Sequence, residues 1–569
     1  MTYTIEFKNV SFSYAGSDQP AIKNINLSIQ PGEIVLITGP AGSGKTTLCS
    51  CINGLIPHYH EGHLTGEVMV GPYNTAKSRV GGLASLVGMV FQDPESQLIT
   101  NSVQDEVAFG PENMGVPREE INTRIAAALH ATRMIGYEER EPHNLSGGEQ
   151  QACVIAATYA MHPEIYVMDE PLANLDPSGR AFILQLVVQV AQERGKTLII
   201  VEHALEETLP LVNRVIVMKD GEIFRDGATK DVLALGDIPH VFKRPYLLRL
   251  AENFHLGDKV FTPNHFLEEL RRKYSLRSIA SKPYQNGHHN EKEAVIEFNN
   301  VSFAYTTEKE TLQNVNLTIR AGELVAIMGR NGSGKTTLVR HVIGLQQPSE
   351  GSVRVMGKDV ATTPTHLLAR DVGFCFQNPN HQIVSFTVKD EMTFGLKTHQ
   401  VDPAEYDRRI REALELVDLS DKSDAEVFDL GKGQKQRLAL ASVLTLKPKI
   451  LVIDEPTTGQ DPEMIDEIFA IIKRLNEMGT TILLITHRVD YAAMFASRAV
   501  VLQYGRVSYD GPMQPLLLNH ELMQSNSLDL PELTKLAVEL GDYGIPPWVV
   551  AYEDMKSYLQ QIIEGQHGN

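Results

Sequence analysis

The chain is written twice. FKNVSFSYAG from Phe7 returns as FNNVSFAYTT from Phe298, and GPAGSGKTTL from Gly39 returns as GRNGSGKTTL from Gly329. VFQDPESQL from Val90 returns as CFQNPNHQI from Cys375, and VMDEPLANLDP from Val167 as VIDEPTTGQDP from Val452. The separation is 291 residues for Tyr14 and Tyr305, 290 for Lys45 and Lys335, 285 for Asp169 and Asp454, and 284 for His203 and His487. The step from 290 to 285 is complete at Gln92 and Gln377, so the second copy lacks five residues between its Gly-rich loop and its glutamine. Solenoid repeats have periods of about 20–50 residues, so each copy here is a domain-sized unit. Each copy also carries a tail: YLLRLAENFHLGD from Tyr246 is loosely matched by ELTKLAVELGDYG from Glu532, and prolines and a further amphipathic stretch follow both. The expected layout is a first core domain over 1–235, its C-terminal extension over 236–280, a linker over 281–293, a second core over 294–520 and a second extension over 521–569. The linker is polar and contains Pro and Gly, so His288 and His289 read as solvated linker residues, not as a metal site.

Within each copy, strand-like and helix-like segments alternate. ELVAIMG runs into a Gly-rich loop, KTTLVRHVIGL follows as a helix, and ILVIDEP and TILLITH are apolar runs with a polar end. Apolar runs without alternation suit parallel strands buried on both faces, which makes the fold α/β with a mainly parallel core sheet. FKNVSFSY, GEVMV and GSVRV alternate and predict an antiparallel side sheet on each copy. No run of about 18 apolar residues occurs, so the chain is expected not to cross a membrane itself. Cys49, Cys51, Cys153 and Cys375 are too few and scattered for a disulfide framework and fit a reducing compartment. The formal charge of −19 argues against nucleic acid as the main ligand.

The stretches Gly39-Pro40-Ala41-Gly42-Ser43-Gly44-Lys45-Thr46 and Gly329-Arg330-Asn331-Gly332-Ser333-Gly334-Lys335-Thr336 both fit GxxxxGK[ST]. Glycines let backbone amides close around phosphate oxygens, and the helix that follows favours an anion at its start. Lys45 and Lys335 would reach the β- and γ-phosphates, and Thr46 and Thr336 would ligate Mg²⁺. Asp169 and Asp454 end apolar strands, where a carboxylate holds the Mg²⁺ shell; Glu170 and Glu455 beside them are placed to orient or deprotonate water. His203 and His487 end the next strand, and their repetition at the common offset marks them as site residues.

LSGGEQQ, with Ser146, Gly147 and Gly148, adds a further motif before Asp169 and Glu170. Together with the phosphate loops, Gln92, the aspartate–glutamate pairs and the histidines, it resembles the signature set of ABC-transporter ATPases, over about 230 residues of each half. The resemblance implies two tandem P-loop ATPase domains, each with a helical subdomain, closing head to tail over two ATPs. It implies that Tyr14 and Tyr305 stack on adenine, and that Thr47 and Thr337 join the phosphate-loop residues at ATP. Gln92 and Gln377 would sense Mg²⁺ and the γ-phosphate and face a membrane partner, and Asp176 and Asp461 would couple the sites. FQDPESQL, FQNPNHQI and NGLIPHYHEG are similar to ATPases of energy-coupling factor importers, in which both ATPases can share one chain. That implies a peripheral protein on the cytoplasmic membrane face, with a transmembrane coupling protein and a substrate-binding protein as partners. The cargo would be a vitamin, a precursor or a metal ion. Gln97 and Gln382 are suited to lining the cleft for a partner's coupling helix.

The second copy departs from the pattern. Gly431 stands where Ser146 stands, ahead of Lys432 and Gly433, and Gly459-Gln460-Asp461 replaces Asn174-Leu175-Asp176. The resemblance therefore implies unequal sites: the one built on Lys335 and Glu455 faces the intact signature, and the one built on Lys45 and Glu170 faces Gly431. A soluble tandem ATPase of the ribosome-bound type is the main rival. Such proteins join their units by a strongly basic helix, whereas residues 232–293 carry ten Lys/Arg against seven Asp/Glu, with prolines between.

Overall fold

The computed structural model describes residues 3–566 except 18, 174, 194, 204, 234–243, 258, 259, 261, 281–291, 307, 308, 458, 459 and 461. The expected linker histidines His288 and His289, the first core boundary at 235 and Asp461 lie outside the described residues. The chain divides into two units, Met1–Phe261 and Thr262–Asn569.

The first unit is built on a six-stranded sheet. Arg214–Lys219, Ile34–Thr38, Thr197–Val201, Ile165–Asp169 and Val87–Val90 lie side by side in parallel, and Glu222–Ala228 adds an antiparallel edge. All five residues of Ile34–Thr38, Ile165–Asp169 and Thr197–Val201 are buried. Successive side chains of one strand enter different cores. Leu36, Met168 and Ile200 pack beneath the helical layer, and Val35, Ile37, Val167 and Ile199 pack against the side sheet. Both faces are therefore apolar, which is why no alternation shows in the sequence.

The side sheet is antiparallel, in the order Ile22–Ile29, Ile5–Tyr14, Gly62–Val70, Tyr73–Asn74. Here one face is buried, and Ile5, Phe7, Val10 and Phe12 alternate with exposed residues until a bulge between Phe7 and Val10 shifts the register. The helical layer holds Val103–Asn113, Arg118–Ala131 and Gly147–Ala160. All four cysteines are buried and unpaired.

The second unit repeats this plan. Its core sheet runs Val372–Cys375, Ile450–Asp454, Thr481–Ile485, Leu324–Met328, Arg498–Gln503, Arg506–Pro512, and only the last strand is antiparallel. Its helical layer is Val388–Thr398, Tyr406–Leu416 and Lys432–Leu444. Backbone irregularities are duplicated as well: Asn9 and Asn300 at the side-sheet bulge, and Glu170 and Glu455 after the strands, all have positive φ.

The first tail does not stay whole with its own half. Helix Tyr246–Asn253 belongs to the first unit, but helix Pro263–Lys273 and strand Tyr274–Leu276 belong to the second. That strand pairs antiparallel with Ile563–Gln566, and the helix packs on Glu532–Glu539. The amide of Arg277 donates to Ile562 O at 2.8 Å and that of Ile279 to Tyr543 O at 3.0 Å. The division thus falls inside the stretch expected as the first half's extension. An eight- to eleven-residue amphipathic helix cannot bury its apolar stripe alone, and Phe266, Leu267 and Leu270 find cover in the second unit's tail. Phe266→Ala should therefore cost about 3–5 kcal/mol. Hydrogen exchange read by mass spectrometry should show the lost protection in 262–569, with residues 1–261 unchanged.

Candidate functional site

In each unit the site begins where the central strand ends. After Ile34–Thr38 the chain turns through Gly39, Gly42 and Gly44, with φ of +146°, +75° and +95°, into helix Lys45–Ile52. A Cβ on Gly44 would lie 2.5 Å from Ala21 O, so this position excludes larger residues on two grounds. Gly329, Gly332 and Gly334 repeat the turn at +136°, +74° and +101°, ahead of helix Lys335–Val342. Ala41, Gly42, Arg330, Asn331 and Gly332 form an exposed rim, while Ser43 and Ser333 are buried. Each lysine folds back over its own loop. Lys45 Nζ donates to Gly39 O at 2.9 Å and Pro40 O at 2.8 Å; Lys335 Nζ donates to Gly329 O at 2.8 Å and Arg330 O at 2.9 Å. A buried ammonium and a concave run of glycine amides suit a multiply charged anion.

The neighbouring strand ends bring carboxylates to this loop. Thr336 Oγ1 donates to Asp454 Oδ2 at 3.0 Å, and the Thr46 hydroxyl favours the charged form of Asp169 in the first unit. Oδ1 of each aspartate is buried with no hydrogen-bond partner among the described residues. Burial pushes the Asp169 carboxyl up to about 6, and it raises that of Asp454 too. A buried anionic oxygen beside a threonine hydroxyl fits a hard cation, so Thr46 with Asp169 and Thr336 with Asp454 suit Mg²⁺. Mg²⁺ at such a position neutralises phosphate oxygens.

Glu170 and Glu455 occupy the left-handed region, at φ of +50° and +45°, which turns their side chains out of the strand line. Each meets the histidine of the next strand: His203 Nε2 to Glu170 Oε1 is 3.3 Å, and His487 Nε2 to Glu455 Oε1 is 3.2 Å. The second oxygen differs between units. Gln92 Nε2 donates to Glu170 Oε2 at 2.6 Å, whereas Glu455 Oε2 accepts from the His487 amide at 3.2 Å, and Gln377 is exposed. A carboxylate held between an imidazole and an amide can orient and deprotonate a water.

The aromatic residues lie against the phosphate-loop helices. Tyr14 OH bonds Thr47 Oγ1 at 3.0 Å, and Tyr305 OH bonds Thr337 Oγ1 at 3.2 Å. The two tyrosines are 36% and 52% exposed. The signature residues lie apart, at the start of a helix in the helical layer. Ser146 precedes helix Gly147–Ala160, and its hydroxyl donates to Glu149 Oε2 at 2.7 Å. Gly431 precedes helix Lys432–Leu444, and its amide donates to Gln434 Oε1 at 3.1 Å. Gly433 is tightly packed, since a Cβ there would collide with Met464 Sδ, whereas one on Gly148 would meet Leu175 at 3.9 Å. Asp176 accepts from Ser178 Oγ and the Gly179 amide, both at 2.8 Å, and so caps helix Pro177–Glu193.

Gln97 and Gln382 do not offer their amides to a cleft. Gln97 accepts from the Phe91 amide at 2.7 Å and donates to Met89 O at 3.2 Å. Gln382 accepts from the Phe376 amide at 3.2 Å and donates to Ala439 O at 2.6 Å. Both pin their loops to the protein, because a half-buried amide satisfies its own donors and acceptor wherever backbone is within reach. Sequence reasoning also missed Glu202, which is 4% exposed and accepts from the Leu172 amide at 2.9 Å and the His203 amide at 3.1 Å. Burial pushes its carboxyl up to about 8, and nearby Glu170 adds to the rise. The signal was present in the repeat: Glu202 stands where the second copy has Thr486.

Comparison with known proteins decides the family. The family described as ABC transporter matches residues 22–173 and 312–458. A relative from Methanosarcina mazei, named as an ABC transporter ATP-binding protein, is 36% identical over 98% of this chain and 97% of its own. This chain belongs to the ABC transporter family. It is a transporter's ATP-binding protein, and its tandem ABC ATPase domains hydrolyse ATP. A second relative of the same name, from Caldanaerobacter subterraneus subsp. tengcongensis, is 37% identical over 94% of this chain and 96% of its own. A solved structure described as cbiO1 of Clostridium perfringens, part of the ABC transporter complex cbiONQ, is 28% identical. It covers 44% of this chain and 98% of its own, with a TM-score of 0.39. The family assignment rests on the sequence matches.

Gly42 and Gly44 of this ABC protein's first phosphate loop should differ in tolerance. Gly42 has open space around it, so Gly42→Ala should cost about 1 kcal/mol for its backbone alone. Gly44→Ala adds the collision with Ala21 and should cost more, about 2–4 kcal/mol. Urea unfolding of the two variants measures the difference.

Proposed function

We propose that the chain is the ATP-hydrolysing motor of an importer of the energy-coupling factor type. It would drive uptake of a small solute, such as a vitamin, a precursor or a metal ion, through a transmembrane coupling protein and a substrate-binding protein. One arrangement carries the reading: the glutamine bonded to Glu170 opens a loop that leads to exposed apolar side chains. After Gln92 come Ile99 at 60% and Phe109 at 45% exposure; after Gln377 come Val384 at 65%, Phe386 at 90% and Phe394 at 55%. Exposed apolar residues that follow a site glutamine within about 20 residues of sequence suit a protein partner. No helix among the described residues is long and apolar enough to cross a membrane, so membrane attachment would come through that partner.

In this reading Lys45, Lys335 and their loops bind the ATP phosphates, and Tyr14 and Tyr305 stack on adenine. Thr46, Gln92 and Asp169, and in the second unit Thr336, Gln377 and Asp454, serve Mg²⁺. Glu170 with His203 and Glu455 with His487 activate water. By family resemblance the units pair head to tail, with Ser146, Gly147 and Gly148 serving the ATP at Lys335, and Gly431 and Gly433 serving the ATP at Lys45. Co-expression with the membrane partners should move the chain from the supernatant to the membrane pellet, with release by alkaline wash. A lone chain that needs detergent for extraction would contradict the reading.

The two sites should turn over unequally. A hydrogen bond to a charged group contributes about 1.5–3 kcal/mol, or roughly 10- to 100-fold in rate if it acts in the transition state. Glu455→Gln should nearly silence steady-state hydrolysis in the assembled complex, and Glu170→Gln should leave a measurable fraction. Gly431→Ser should raise turnover at the weaker site. The backbone at Gly431, with φ −65° and ψ 162°, accepts any residue, and a Cβ there meets only Gln434 Oε1 at 3.9 Å. Equal losses from the two glutamate variants would rule this asymmetry out.

A further inference from the structure

The units differ at one buried position beside their hydrolytic carboxylates. Strand Thr197–Val201 runs directly into Glu202, and the equivalent strand Thr481–Ile485 runs into Thr486. Both side chains are buried, at 4% and 0% exposure. Thr486 Oγ1 accepts from the Arg488 amide at 3.0 Å, and the His487 amide donates to Glu455 Oε2 at 3.2 Å. In the first unit the His203 amide donates to Glu202 Oε2 at 3.1 Å instead. Glu202 Oε1 accepts at 2.9 Å from the amide of Leu172, two residues beyond Glu170. Glu170 Oε2 accepts from Gln92 at 2.6 Å.

We propose that Glu202 is a positioning residue of the first unit's hydrolytic centre. It engages the amides of Leu172 and His203 and so determines which groups the Glu170 carboxylate faces. The inference rests on the reading of Glu170 as the water-activating carboxylate. Two observations favour a positioning role over a plain structural pin. Thr486 closes the same strand end without a carboxyl group, so the fold does not require one. Burying a carboxyl group is costly, so an acid at this position demands compensating contacts. Those contacts reach both chain segments that carry the Glu170–His203 pair. With the His203 amide engaged by Glu202, the second oxygen of Glu170 is directed to Gln92, on the loop that leads to the exposed apolar residues. In the second unit that oxygen is held by the histidine's own amide.

The test uses the full-length chain with Glu455→Gln: the small hydrolysis this variant retains comes from the first unit's carboxylate, and a radiolabel assay resolves further falls in it. Release of radiolabelled phosphate from Mg-ATP gives kcat and KM. Glu202→Gln keeps the size of the side chain and one acceptor oxygen, and should lower kcat about threefold. Glu202→Thr recreates the second unit's arrangement and should lower kcat about tenfold, the scale of one hydrogen bond to a charged group. KM for Mg-ATP should stay within about twofold in both, because neither variant touches the phosphate loop. Parent-like kcat in Glu202→Gln overturns the proposal even if Glu202→Thr does not fold. A rise in KM that matches the fall in kcat also overturns it, since that would place the effect in nucleotide binding and not at the Glu170 carboxylate. Glu170→Gln in the same background separates the two levels of inference. If it leaves hydrolysis intact, the role of Glu170 is wrong; if it abolishes hydrolysis while the Glu202 variants match the parent, only the positioning role is wrong.

Discussion

Each reactive group of this protein hangs from the C-terminal ends of parallel strands that are buried on both faces. Ile34–Thr38, Ile165–Asp169 and Thr197–Val201 deliver the phosphate loop, the aspartate–glutamate pair and the Glu202–His203 pair to one edge. Their interiors admit no polar side chain without cost, so the functional groups appear where the strands leave the core. The positive φ of Glu170 and Glu455 belongs to the same constraint. Each side chain must turn sharply from a fully buried strand to meet the histidine of the strand beside it. The second unit builds the same edge from Leu324–Met328, Ile450–Asp454 and Thr481–Ile485.

Duplication gave two copies of that edge, and divergence made them chemically unequal. Thr486 in place of Glu202 moves one backbone amide from a neighbouring carboxyl onto Glu455 itself. Gly431 in place of Ser146 removes a hydroxyl at a helix start, and a collision with Met464 closes the space around Gly433. None of these changes disturbs the strand pairing. They lie at strand ends and helix starts, where side-chain hydrogen bonds can be rearranged without repacking a core. A twofold scaffold with distinct local chemistry follows.

The tails show a second use of duplication. Two loosely similar segments each end in a helix and a short strand, and the strand of the first pairs with the strand of the second. A lone strand leaves its backbone groups unpaired, and a short amphipathic helix leaves its stripe exposed, so each is completed by the other. The consequence is that residues 262–276 precede the expected linker but are held in the unit that follows it.

The sequence by itself determined the duplication, the α/β class, the phosphate loops and the acid–histidine pairs. These are encoded in short contiguous stretches: glycines where the chain must turn, apolar runs where a strand is covered twice, and a polar residue where each run ends. Tertiary structure alone decided the rest. Gln97 and Gln382 look like free amides in sequence, yet each turns inward onto backbone within reach, in Gln382's case onto Ala439 O, 57 residues away. Glu202 looks like one more polar residue after a strand, and its importance appears only when Leu172 and His203 converge on it. The first half's last helix belongs to the second unit because it packs on helix Glu532–Glu539, some 260 residues later. Local sequence specifies which groups are present; which of them meet depends on contacts between segments far apart in the chain, and those are set by packing.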